Sequence, residues 1–208
     1  MEKGITLSAL TAKNIPNSSA KLLKGKVAIA GLGGLGSNIA VMLARIGVGK
    51  LLLVDFDKVE PSNLNRQHYN TSHIGMYKTE ALKSQIDVIN PFIDTETVTV
   101  KITEENAAKL FIDYPIVCEA FDNPKYKAIL VNALLQSNDT KIVAASGLSG
   151  YKSANKITTK RVFKNLYLCG DSEYTSEDED GLMAPRVSIC AGHQANMIVR
   201  LLLGMEDV

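Results

Sequence analysis

Apolar and polar positions follow two rhythms along the chain. Short, nearly unbroken apolar runs at 26–31 (KVAIAG), 50–56 (KLLLVDF), 115–121 (PIVCEAF) and 141–146 (KIVAAS) read as strands buried on both faces. Between them the spacing turns helical. Leu35, Ile39, Met42, Leu43 and Ile46 share one face before the GVG stop at 47–49, and Leu82, Ile86 and Ile89 share another over 78–90, ended by Pro91. Further helices are predicted at 104–111, at 124–137 with proline at its start, and at 186–204. The segments 95–102 and 154–163 alternate apolar with polar, and the second reads as an antiparallel addition. Residues 1–24 have weak periodicity and read as an arm or short helix, and 175–181 as an acidic loop. Strands alternating with helices predict an α/β fold: a Rossmann-like, mostly parallel sheet with helices on both faces, extended by antiparallel strands.

The length of 208 residues fits one such domain across 1–208, with 1–24 as its arm. Lysine and arginine total 23 against 22 acids, so no basic excess speaks for long nucleic acid as a partner. The uncharged stretch 27–44 has the length of a membrane span. Its centre holds Gly31, Gly33, Gly34, Gly36, Ser37 and Asn38, which suit a strand, tight turn and buried helix instead. The three cysteines, Cys118, Cys169 and Cys190, are odd in number and widely spaced. With an N-terminus lacking the apolar core of a signal peptide, they imply a reducing, cytoplasmic setting.

The chemistry begins at GLGGLGS, 31–37. Gly31, Gly33 and Gly36 fit G-x-G-x-x-G between a strand and a helix, where glycine permits close backbone approach and free N–H groups attract phosphate. The motif alone leaves NAD, FAD and ATP open. Asp55 ends the next strand 19 residues after Gly36, where a carboxylate accepts ribose hydroxyls; Asp57 reads as a loop acid. Just past it, PSNLNRQ (61–67) brings Arg66 to the carboxyl end of the sheet, and Lys78 opens the following helix. A cation at a helix N-terminus faces a positive dipole, so two cations converging there make sense when a polyphosphate fills the crevice. Asp122 and Asn123 follow another strand end. The acid suits Mg²⁺, or equally a helix cap before Pro124.

Taken in order, GLGGLGS, LLLVDFDKVEPSNLNRQ, IGMYK, DN and GLMAPRV resemble the ubiquitin-activating-like family of ThiF/MoeB/HesA adenylyltransferases over residues 26 to about 204. By length the chain is similar to the short ThiF proteins of thiamine biosynthesis. The resemblance implies a homodimer that uses ATP and Mg²⁺ to adenylate the C-terminal glycine carboxylate of a small ubiquitin-like sulfur carrier ending in Gly-Gly. It implies nucleotide contacts at Gly34, Asp55, Asn63, Arg66, Lys78, Asp122 and Asn123, with Asp122 as the metal ligand, and catalysis by Arg66, Lys78 and Asp122. A molybdopterin-type carrier, an NAD-dependent oxidoreductase and a non-catalytic carrier-binding scaffold are the competing readings.

Three departures from the family stand out. The paired C-x-x-C zinc ligands of many members are absent. No cysteine follows Cys169 in the 170–187 segment, where relatives often keep a sulfur-handling one. Residues 1–25 hold no arginine, where dimeric relatives lend one to the neighbouring ATP; Lys13 and Lys21 are the cations available. Cys118 and Cys190 read as core residues and Cys169 as the exposed thiol. This pattern predicts a chain that stops at the acyl-adenylate and passes it to a separate sulfur donor.

Overall fold

A computed structural model describes residues 4–136, 139–148, 150–171 and 181–208. Seven strands form one sheet: β1 Lys26–Ala30, β2 Lys50–Asp55, β3 Asp94–Thr99, β4 Ile116–Glu119, β5 Lys141–Ala145, β6 Ile157–Phe163 and β7 Leu166–Asp171. Their spatial order is β3-β2-β1-β4-β5-β7-β6, and every neighbouring pair is parallel except β6–β7. The apolar runs fall where a doubly wound sheet needs them. Strands β1, β2, β4 and β5 have both faces covered, so alternation gives them no exposed side to mark with polar residues.

Helices α3 Gly34–Arg45, α4 Lys78–Ile89 and α7 Ala184–Leu203 cover one face. Ile29, Leu53, Cys118 and Val143 of the strands pack there against Ile39, Leu43, Ile86 and Ile198. Helices α5 Ala107–Leu110 and α6 Pro124–Leu135 cover the other, burying Phe111, Leu130 and Leu134 on Ala28, Leu52, Val117 and Ile142. The two sets are successive residues of the same strands, the period of two that a pleated strand imposes. The arm forms two short helices, α1 Leu7–Leu10 and α2 Ser19–Leu23.

The structure departs from the sequence reading in two places, and a third segment lies mostly outside the described residues. Strand β7 was not predicted: its run LYLCGD is buried on both faces and lacks the alternation that betrayed β6, its edge-strand partner. The expected helix at 104–111 shrinks to the four residues of α5. Most of the acidic loop at 175–181 lies outside the described residues; Gly181 alone is placed, accepting a bond from Gly150 N–H at 2.8 Å.

Candidate functional site

Chain order reverses between β1 and β4, and a crevice opens outside the carboxyl ends of strands at such a point. A cleft of about 860 Å³ lies there. Its floor is the glycine loop. Gly31 has φ +90° and hands its N–H to Val54 O at 2.9 Å; a Cβ on it would sit 2.8 Å from Ala120 O. Gly36 does not line the cleft. It lets α3 close on the loop, since a Cβ there would lie 1.8 Å from Gly31 O. Leu32 fixes the loop from both sides: its N–H donates to Asp55 Oδ2 at 2.6 Å and its carbonyl accepts from Tyr69 Oη at 2.8 Å.

Asp55 is 7% exposed and takes a second backbone bond, from Asp57 N–H to Oδ1 at 2.8 Å. Burial pushes its carboxyl above the ordinary range, opposed by the charge of Lys78 and by the two N–H donors. Each of its oxygens keeps acceptor capacity toward the cleft. Lys78, in the first turn of α4, is 6% exposed and reaches Asp57 Oδ2 at 2.9 Å. Asp57, which the sequence suggests is only a loop acid, is therefore the counter-ion that lets a lysine sit buried beside a helix N-terminus.

Arg66 is brought in by the segment after β2. A 3₁₀ turn at Pro61–Asn63 folds the chain back, and Asn38 of α3 donates to Gly34 O at 2.6 Å and Arg66 O at 3.1 Å, tying that segment to the glycine loop. Nη1 of Arg66 donates to Ser62 O at 3.3 Å and Asn65 Oδ1 at 2.8 Å. Its Nε and Nη2 have no partner among the described residues, leaving one edge of the guanidinium fork for a ligand. Across the cleft, Asp122 is exposed and its carboxylate bonds nothing among the described residues. The helix cap is Asn123, whose Oδ1 accepts from Lys125 N–H at 2.9 Å, so of the two sequence readings of Asp122 the capping one falls to its neighbour.

The structure thus brings Gly31, Gly33, Gly34, Asp55, Arg66, Lys78, Asp122 and Asn123 to one cleft. Asn63 stands apart from its walls: its Oδ1 accepts from Glu60 N–H at 3.1 Å and shapes the turn that carries Arg66. Gln67 and Lys127 are among the cleft residues that escaped the sequence reading. Gln67 is 8% exposed and its Oε1 has no partner among the described residues, an unusual state for a buried amide oxygen at a cleft wall. Lys127, one turn into α6, pairs with the fully buried Glu119. A glutamine after arginine and a lysine on a helix carry no motif signal of their own.

The thiols require a correction. Cys169 is fully buried, not exposed, because β7 lies inside the sheet between β5 and β6. Burial raises its thiol to about 11 and that of Cys190 to about 12, and pushes Cys118 up as well. Among the described residues no three His, Cys, Asp or Glu side chains gather as a metal cluster, and no helix is long and apolar enough to cross a membrane.

The chain is similar to known proteins in sequence and in fold. The chain is 33% identical over 192 residues to the molybdopterin-synthase adenylyltransferase of Haemophilus influenzae, covering 88% of this chain and 76% of that one. It is 30% identical over 193 residues to the adenylyltransferase and sulfurtransferase UBA4 of Candida glabrata, covering 90% of this chain but 44% of that protein, so it spans less than half the length of that relative. The fold is shared with the E. coli tRNA N6-threonylcarbamoyladenosine dehydratase TcdA solved in complex with ATP, at a TM-score of 0.86 and 20% identity over 95% of this chain and 93% of that one. The ThiF family pattern matches residues 8–208, nearly the whole length, and with the glycine loop, Asp55, Arg66, Lys78 and Asp122 gathered in one cleft, the chain belongs to the ThiF family.

Proposed function

We propose that the chain binds ATP in this cleft and adenylates the C-terminal glycine carboxylate of a small ubiquitin-like carrier. One observation carries the reading: Arg66, Lys78 and Asp122 line a single cleft with the glycine loop. A hydride-transferring enzyme on NAD has use for the loop and Asp55 but leaves those three idle. The names of the relatives support the same chemistry.

The loop N–H groups and the start of α3 receive the phosphates, and Asp55 accepts the ribose hydroxyls. The base lies against the wall of Phe56, Phe121 and Tyr126, whose rings meet edge to face with Tyr126 at 6.3 and 6.1 Å from the other two. A carrier carboxylate oxygen attacks the α-phosphorus, the bond from that phosphorus to the bridging oxygen breaks, and pyrophosphate leaves. No proton moves and no enzyme nucleophile is required. Arg66 and Lys78 supply fixed positive charge where negative charge grows, which is the larger part of catalysis in such transfers. The donor set fits Mg²⁺, which takes one or two carboxylates and completes its shell with phosphate oxygens and water; Asp122 would hold it, and when bound it neutralises phosphate charge.

The carrier is proposed to be ThiS-like, of thiamine biosynthesis, the enzyme a cytoplasmic homodimer, and the sulfur donor a separate protein. The last point is supported by three buried thiols with raised pKa, since sulfur chemistry needs an accessible thiolate. The test is ATP–pyrophosphate exchange with carriers ending in Gly-Gly, alongside thermal shifts with ATP and NAD. Carrier-dependent exchange and stabilisation by ATP are expected. Stabilisation by NAD alone, or absence of exchange with every carrier while the carriers bind, overturns the reading.

A further inference from the structure

Glu119 is a fully buried acid that does not line the cleft, and the adenylation chemistry gives it no task. Its surroundings are specific. One carboxylate oxygen accepts from Phe121 N–H at 2.8 Å, the other from Lys127 Nζ, and Ala145 N–H at the end of β5 also donates to the group. Its own carbonyl accepts from Gln194 Nε2 of α7 at 3.0 Å, and the same Nε2 reaches Val143 O at 3.3 Å. One residue is thus fastened to β5, to α6, to α7 and to the turn that follows its own strand.

That turn runs from Ala120 to Asn123 and carries Asp122 at its centre. On the near side Phe121 N–H is held by the Glu119 carboxylate, and on the far side Lys127 reaches back to the same carboxylate from the first turns of α6. The Asp122 carboxylate has no side-chain or backbone partner among the described residues, so only the backbone sets where it points. A site of this kind needs its supporting shell to hold it within a fraction of an ångström. Burying a carboxylate is costly unless it is paired and fully bonded, and here two of its three bonding groups lie on the two flanks of one turn, the third being Ala145 N–H of β5.

We propose that Glu119 is a positioning residue for Asp122: by bracing the β4–α6 turn from both sides, it sets the carboxylate that couples divalent cation binding to nucleotide binding. The proposal rests on the reading of the cleft as an ATP site. It assigns a role to a residue that touches neither nucleotide nor carrier.

The experiment is calorimetric titration of the full chain with ATP at a series of Mg²⁺ concentrations, with melting temperatures recorded in parallel. The expected wild-type result is ATP binding that tightens as Mg²⁺ rises, and a wild type that binds ATP equally well with and without Mg²⁺ overturns the proposal. Glu119→Gln keeps the side-chain shape but removes the charge that pairs with Lys127. It should bind ATP in the absence of Mg²⁺ within about twofold of wild type and lose the Mg²⁺ enhancement by about 10-fold, a coupling change of the size typical between linked sites. A purely structural role would lower the melting temperature and leave the Mg²⁺ enhancement intact in the folded fraction, and that result overturns the proposal. Should Glu119→Gln not fold, Glu119→Asp, which keeps the charge but shortens the reach, takes the same test. Failure of both to fold assigns Glu119 to the core alone and also overturns it. Wild-type protein that binds no ATP sinks the reading of the cleft itself, whereas wild-type binding with an unchanged variant sinks only the role of Glu119.

Discussion

The glycine loop offers a test in which two glycines of one motif behave differently. In Gly36→Ala the new methyl would lie 1.8 Å from Gly31 O, a backbone atom that cannot swing aside. A carbon and a carbonyl oxygen rest at about 3.3 Å or more, so loop and helix must part by about 1.5 Å. Overpacking of this kind costs about 3 kcal/mol at the upper end of its usual range. Alanine inside a helix returns about 1 kcal/mol over glycine, so the clash wins by about 2 kcal/mol. For a chain of this size each kcal/mol moves Tm by about 2–4 °C, which puts the expected fall at about 4–8 °C. A displacement of that size in the glycine loop should also weaken ATP binding by at least about 10-fold. In Gly33→Ala the nearest atom to the methyl is Gln67 Nε2 at 3.7 Å, an ordinary contact, but the position faces the cleft. It should melt within about 2 °C of wild type, as substitutions without a clash do, while losing ATP affinity by about 10-fold or more. Differential scanning calorimetry and titration with ATP measure both quantities. A Gly36→Ala protein with wild-type Tm and affinity, or a Gly33→Ala protein that loses as much stability as Gly36→Ala, would refute the assignment of one glycine to packing and the other to the ligand.

Asp122→Asn, at an exposed site with no bonding partner among the described residues, should leave Tm nearly unchanged while pyrophosphate exchange falls about 100-fold. Arg66→Ala should show the same split, and exchange within about twofold of wild type for both folded variants rejects their role. Replacing all three cysteines with alanine should leave carrier-dependent exchange near the wild-type rate in the folded protein; a covalent carrier adduct on the wild type that vanishes in the variant would show thiol chemistry by the chain itself. The raised thiols also predict alkaline sensitivity. A group whose folded pKa lies above its unfolded value contributes stability that is complete below the unfolded pKa, near 9, and is lost as pH rises toward the folded values of about 11 for Cys169 and about 12 for Cys190. Tm should therefore fall more steeply above pH 9 in the wild type than in Cys169→Ala, and equal slopes would remove the thiol from the account.

The sequence by itself determined the parts of this protein whose physics is local. Unbroken apolar runs and 3.6-residue spacing place β1, β2, β4, β5, α3, α4, α6 and α7, because burial on one or two faces must be written into successive residues. The glycines, Asp55, Lys78 and Asp122 were legible as candidates because each sits at or just past a strand end or at a helix start, where a doubly wound sheet puts its ligands, and Arg66 was legible from the polar run that follows β2. Tertiary structure decided what depends on residues distant in the chain. Strand β7 is a strand because β5 and β6 flank it, and the same flanking buries Cys169, which reads from sequence as an exposed thiol. Asp57 and Lys78, 21 positions apart, became an ion pair only when the turn after β2 folded back on α4. Asn63 left the cleft to shape a turn, while Gln67 and Lys127 entered it. The buried bracing of Glu119 joins β4, β5, α6 and α7, and no window of sequence contains all four. Burial is a property of neighbours in space, and a one-dimensional pattern records it only where those neighbours repeat along the chain.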